Sequence, residues 1–92
     1  MASVTVKLPG LLAASAGGQT TLTVEGDTVC GVLEALMAQW PAMRIHLFDQ
    51  QGAQREHVLM LYNDENLRWF DPGARPAAEG DVLTVLQLVS GG

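Results

Sequence analysis

The hydrophobic period of this chain changes only twice, and that limits the folds open to it. Val4, Val6 and Leu8 alternate with Thr5 and Lys7, and Leu22 and Val24 alternate with Thr21, Thr23 and Glu25. Successive side chains on a strand point to opposite sides, so both stretches read as strands with one buried face. Pro9 ends the first, and a small, flexible segment over residues 11–19 joins the two as a hairpin, with Gly17-Gly18 suited to chain reversal. The period then becomes helical. Val29, Leu33, Leu36, Met37 and Trp40 share one face, with Val32 beside it. Asp27 or Thr28 caps the start and Pro41 marks the end, so a helix is expected from near Thr28 to near Gln39. Gly31 in its first turn costs about 1 kcal/mol relative to alanine, and close packing on a sheet would account for it.

After a helical turn at residues 42–48 and a polar loop at residues 49–52, the strand period returns. Residues 58–62 form a nearly continuous apolar strand, and Asn63-Asp64 a turn. Asn66-Leu67-Arg68-Trp69 reads as a short edge strand, Glu79-Gly80-Asp81 as another turn, and residues 82–89 as the last strand. One helix of about three turns cannot cover both faces of a four- or five-stranded sheet. One face therefore stays open or is covered by something else. The first and last strands can pair in parallel at the centre, with the helix in the crossover between the halves. The expected class is α+β, a β-grasp (ubiquitin-like) fold: a mixed four- to five-stranded sheet with one main helix packed on one face.

At 92 residues the chain supports a single core. Its 48% hydrophobic and 16% charged composition excludes an acidic disordered tail. Ten acids against five bases leave a net charge of −5, with no basic footprint for nucleic acid. A basic or electropositive protein partner is expected instead. Cys30 is the only cysteine, so neither an intrachain disulfide nor a thiolate zinc cluster is available. The longest apolar runs are too short to span a membrane, and the weak secretory-like segment at residues 11–16 is bracketed by Pro9-Gly10 and Gly17-Gly18. The expected location is the cytoplasm, and the free protein is expected to be a monomer.

The most informative feature for function is the end of the chain. Ser90-Gly91-Gly92 follows directly on a strand, and such an arm, without Cβ atoms at its tip, fits a confined site where an α-carboxylate meets a nucleotide phosphate. On the last strand Leu83, Val85 and Val89 fall on one face, and Leu86 and Leu88 on the other with Thr84. Since the helix covers one face only, Leu86 and Leu88 are expected to be exposed, as a hydrophobic docking patch beside the tail. Other chemistry is poorly supported. His46 and His57 lie on different elements with no carboxylate at ligand spacing. Cys30 in the first helical turn is either a thiol lowered by the helix dipole or a small, partly buried core residue, and the second reading weighs more. Asp64-Glu65 beside Asn66 reads as turn chemistry rather than a catalytic pair.

Taken together, the order of elements and the diglycine resemble the MoaD/ThiS sulfur-carrier family, and within it the stand-alone CysO-type carriers. The matching segments are Val4-Thr5-Val6 with Pro9 and Leu12, Gly17-Gly18, Gly26-Asp27-Thr28, Asn63-Asp64-Glu65-Asn66-Leu67-Arg68, Gly80-Asp81, and Val89-Ser90-Gly91-Gly92. They span essentially the whole chain. Two positions depart from the family pattern: Gln87-Leu88 stands where a proline is frequent, and Glu79-Gly80-Asp81 where Asp-Gly-Asp is common.

The resemblance implies a β-grasp domain over residues 1–89 and a flexible diglycine tail over residues 90–92. It implies a carrier, not an enzyme, acted on by an E1-like adenylyltransferase of the MoeB/ThiF type. That partner would use ATP and Mg²⁺ to adenylate Gly92, and the carrier itself would bind no cofactor. A sulfur donor would then displace AMP to leave a thiocarboxylate for a downstream sulfur-accepting synthase. Gly92 would be the covalent carrier residue, with Gly91, Ser90, Val89, Leu88 and Leu86 in contact with the partner; no catalytic or metal-binding residue, nucleic acid or membrane is implied. Three other readings stay open: the small subunit of a molybdopterin-synthase-like complex, a ubiquitin-like modifier of lysines, and a plain interaction domain with an idle tail.

Overall fold

A computed structural model describes residues 1–88 of the chain. Strands β1 (Ala2–Lys7) and β2 (Thr21–Gly26) form an antiparallel pair in which Val4 faces Val24 and Val6 faces Leu22. Helix α1 (Val29–Gln39) follows, then a short helix α2 (Met43–Leu47). Strand β3 (Val58–Tyr62), the two-residue β4 (Glu65–Asn66) and β5 (Val82–Gln87) complete one five-stranded sheet in the order β2-β1-β5-β3-β4. The first and last strands run parallel at the centre, with Val6 in register with Leu83, as the alternation predicts.

The helix begins where its cap requires. Thr28 is extended, and its hydroxyl accepts from the Gly31 amide at 3.0 Å. The first two amides of the helix are taken up by the 71–76 loop: Val29 N–H donates to the Arg75 carbonyl at 3.0 Å and Cys30 N–H to the Pro72 carbonyl at 2.9 Å. Val29, Val32, Leu33, Leu36 and Met37 are buried against Val4, Val6, Leu22, Val24, Val58, Met60, Leu83 and Val85. The glycine that permits this approach is Gly26 on β2, not Gly31. A Cβ on Gly26 would stand 2.7 Å from the Val32 amide nitrogen, whereas one on Gly31 would meet only the capping hydroxyl of Thr28, at 3.3 Å.

Two other segments differ from the sequence reading. Residues 10–16 are not a loose connection but a 3-10 helix (Gly10–Ala16) that buries Leu12 and Ala16. It ends on left-handed Gly17, over which the Trp40 ring packs closely enough that a Cβ would meet it at 3.1 Å. The small residues at 13–17 therefore allow close packing rather than flexibility. The expected edge strand at residues 66–69 shrinks to Glu65–Asn66, because the Asn66 side chain accepts from the Arg68 amide at 2.9 Å and turns the chain into a 3-10 turn (Leu67–Trp69).

A hydrogen-bonded knot joins the halves of the sheet. Asp81 accepts from the Tyr62 hydroxyl at 2.6 Å, the Ala78 amide at 2.8 Å and the Asn63 side-chain amide at 3.3 Å. Its carbonyl accepts from the Thr5 amide at 2.9 Å, and the Asn63 side-chain oxygen from the Val82 amide at 3.0 Å. Asn63 holds φ at 54°, where asparagine is favoured among non-glycine residues. The donors hold the Asp81 carboxyl below the usual carboxylate range, and burial together with the neighbouring carboxylate pushes the Tyr62 phenol up. Among the described residues no helix is long and apolar enough to cross a membrane.

Candidate functional site

The side chains that α1 leaves uncovered define the site. Strand β5 alternates: Leu83 and Val85 are buried under α1, while Thr84 and Leu86 lie on the open face. Leu86 is 39% exposed and Leu88, just past the strand, 53% exposed, as the single-helix argument requires. Leu88 still continues the pairing of β5 with β3, since its amide donates to the His57 carbonyl at 2.7 Å. Thus the chain leaves the sheet beside the start of β3. Val89, Ser90, Gly91 and Gly92 lie outside the described residues.

The patch is wider than the sequence reading made it. Leu59 stands opposite Leu86, and Leu61 opposite Thr84, so both leucines of β3 share the open face and are half-buried there. The signal was present in the near-continuous apolar run of β3: a strand apolar on both faces, in a sheet with one main helix, must show one apolar face to solvent. Lys7 was also missed as a neighbour; it stands in register with Thr84, on the same face.

The alternative sites disperse. His46 lies in α2 and His57 just before β3, and among the described residues no group of three His, Cys, Asp or Glu gathers. The Cys30 thiol is raised, not lowered, by burial and by the carboxylates of Glu34 and Asp71. The adjacent helix amides of Val29 and Cys30 are themselves bonded to the Arg75 and Pro72 carbonyls. Glu65 binds Arg75 at 2.8 Å, and Arg75 in turn lies 4.1 Å over the Phe70 ring, which fixes the 70–78 loop. A cleft of about 360 Å³ runs along the helix side, lined by Cys30, Leu33, Met37, Phe48 and Pro72 among others, and none of its lining residues belongs to the open sheet face. What the open face offers is an apolar surface next to Leu88, suited to a macromolecule more than to a small ligand.

A five-stranded mixed sheet with parallel central strands and one main helix defines a β-grasp protein of the ubiquitin-like class. The ThiS family model matches residues 6–92, and the chain belongs to the ThiS family. It is 34% identical over 92 residues to the sulfur carrier protein CysO of Mycobacterium tuberculosis, covering 98% of this chain and 99% of that protein. The crystal structure of that CysO superposes with a TM-score of 0.82 over 94% of this chain and 99% of that one. The small archaeal modifier protein 1 of Haloferax volcanii is 34% identical over 88 residues, 94% of this chain and 97% of that protein, and its crystal structure gives a TM-score of 0.79. The crystal structure of the Amycolatopsis orientalis BexX/CysO complex contains a further match, with a TM-score of 0.82 and 26% identity over 97% of this chain and 99% of the matched one.

Proposed function

We propose that this protein is a sulfur carrier whose C-terminal Gly92 alternates between carboxylate and thiocarboxylate. The observation that carries the reading is the ThiS family match, which extends through Gly91-Gly92, joined to full-length similarity to a protein named as a sulfur carrier. In this reading the Gly92 carboxylate attacks the α-phosphorus of ATP on an E1-like, MoeB/ThiF-type partner that supplies Mg²⁺, and pyrophosphate leaves. A sulfide equivalent then attacks the acyl carbon, AMP departs, and a thiocarboxylate remains for a downstream synthase. The chain supplies the reacting end and the surface that delivers it, with the partner providing activation and charge stabilisation. Leu86 and Leu88 dock on the partner with Leu59 and Leu61, and Val89, Ser90 and Gly91 form the arm. The CysO found in complex with BexX supports a carrier that works by docking on a second protein.

The test is direct. Incubation with a cognate adenylyltransferase, ATP, Mg²⁺ and a sulfur source adds the mass expected for replacing one carboxylate oxygen by sulfur, and deletion of Gly92 abolishes the gain. Equal modification of the truncated chain, or an intact tail left unadenylated by a verified cognate enzyme, rejects the reading.

A second reading is favoured by the similarity to the small archaeal modifier protein 1: the same activated Gly92 forms isopeptide bonds with lysines of other proteins. Higher-mass conjugates that vanish on deletion of Gly92 would select it. Lys7 is the chain's only lysine and lies in a strand, so self-conjugation into chains is disfavoured.

A further inference from the structure

The two edges of the sheet are finished differently. The β4 edge is only Glu65–Asn66, turned away at once by the Asn66 side chain bonded to the Arg68 amide. The β2 edge runs six residues, Thr21–Gly26, in unbroken register with β1 and with no proline or lysine. Proline, lysine, bulges and extreme shortness are the devices that stop one sheet edge from pairing with another, and on β2 only the charge of Glu25 stands in their place.

The direction of its backbone groups follows from β1. There the Ser3 amide donates to the Glu79 carboxylate at 2.9 Å and the Thr5 amide to the Asp81 carbonyl at 2.9 Å, both toward the β5 side. The Leu8 amide instead donates to the Thr20 carbonyl at 2.8 Å, on the β2 side. Hydrogen-bonded and non-bonded pairs alternate along an antiparallel ladder. Val4–Val24 and Val6–Leu22 are therefore the bonded pairs, and Thr21, Thr23 and Glu25 turn their N–H and C=O groups outward. Among the described residues no backbone hydrogen bond joins these three to any part of the chain outside the β1–β2 pair.

We propose that β2 is a self-association edge, on which two copies of the chain pair their β2 strands antiparallel about a two-fold axis at Thr23. The strand is complementary to itself. With Thr23 opposite Thr23 of the second copy, Thr21 falls opposite Glu25 of that copy, and each such pair exchanges both of its outward bonds. Threonine pairs are favourable across strands, and Glu25 avoids its own counterpart. It comes instead beside Thr21, whose neighbour on β1 is Lys7, the chain's only lysine. On the core side, Cys30 and Glu34 face the 71–73 loop across the helix-side cleft, which leaves Gly31 and Ala35 on the opposite flank of α1. The close approach of Gly26 to Gly31 places that flank by β2, and its small residues leave room for two helices side by side. The inference does not depend on the carrier reading: β1 and β5 separate β2 from β3, so the leucine face stays uncovered in both copies. It revises the monomer expected from the sequence.

One short strand pair buries less than a standard interface, so the dimer is weak, with a dissociation constant on the order of 0.1 mM. The test is sedimentation equilibrium and backbone amide exchange on the full-length chain from about 10 µM to about 1 mM. The mass should rise toward that of a dimer. The Thr21, Thr23 and Glu25 amides should exchange about fourfold more slowly at the higher concentration, while those of Leu22 and Val24, bonded to β1, are protected throughout. Thr23→Lys sets like charges face to face at the axis and should raise the dissociation constant at least about tenfold. The amide pattern of the wild-type chain decides the matter even if that variant folds poorly. A monomer mass up to about 1 mM, a dimer that Thr23→Lys leaves intact, or a dimer that Leu86→Asp abolishes overturns the inference. So does protection of Thr23 that appears only when the adenylyltransferase is added, which assigns the edge to that enzyme.

Discussion

The open face of the sheet is two surfaces of opposite character. Across β1 and β2 it is polar, carrying Ser3, Thr5, Thr21, Thr23 and Glu25. Across β3 and β5 it carries Leu59, Leu61 and Leu86, with Leu88 just beyond. Both halves have the same strand geometry, and both send their other faces into the same core. The core face of β3 and β5 is supplied by Val58, Met60, Leu83 and Val85, so the core does not need these leucines. The apolar half is the surface that the proposed docking would cover, and it lies next to Leu88.

Leu86→Asp or Leu88→Asp should weaken the adenylyltransferase complex by about 100-fold, roughly 3 kcal/mol, since a carboxylate is buried unpaired at the interface. Melting of the free protein should fall by no more than about 3 °C. Calorimetry on the same variants decides the matter. A large melting loss with unchanged affinity would make these leucines core residues and dissolve the distinction between the halves.

A smaller effect is expected at the seam, where the Asp81 knot bonds β1, β3 and the start of β5. Asp81→Asn keeps the shape but loses the charge-assisted bonds, and should cost about 1–3 kcal/mol at neutral pH. The sign with pH follows from the folded-state carboxyl titrating below its unfolded value near 3.8. The unfolded chain takes up the proton first as pH falls, so the Asp81 contribution is full above about pH 5 and is lost as pH drops through the folded value. Urea denaturation of wild type and variant should therefore converge in strongly acid solution. A gap that is constant down to that range would remove the charge from the account.

The smallest effect should come from the polar half. Thr23→Val places an apolar side chain on β2 and should alter stability by less than about 0.5 kcal/mol and partner affinity by less than about twofold. A marked gain in affinity would extend the docking surface across the whole sheet.

Much of this was legible in one dimension. The alternation of Val4-Val6 and Leu22-Val24, the single helical stripe ending near Pro41 and the turn residues Asn63 and Gly80-Asp81 determine which elements form, because each is encoded by residues close in sequence. Exposure of Leu86 and Leu88 also follows, since it needs only the count of helices. The 3-10 helix at Gly10–Ala16 did not, because its stability comes from Trp40 and α2, elements distant in the chain that pack on its small residues. Nor did the true close contact at Gly26, which depends on how α1 lies across β2. Lys7 beside Thr84 was least visible of all, because only the parallel pairing of β1 with β5 places it on the leucine face.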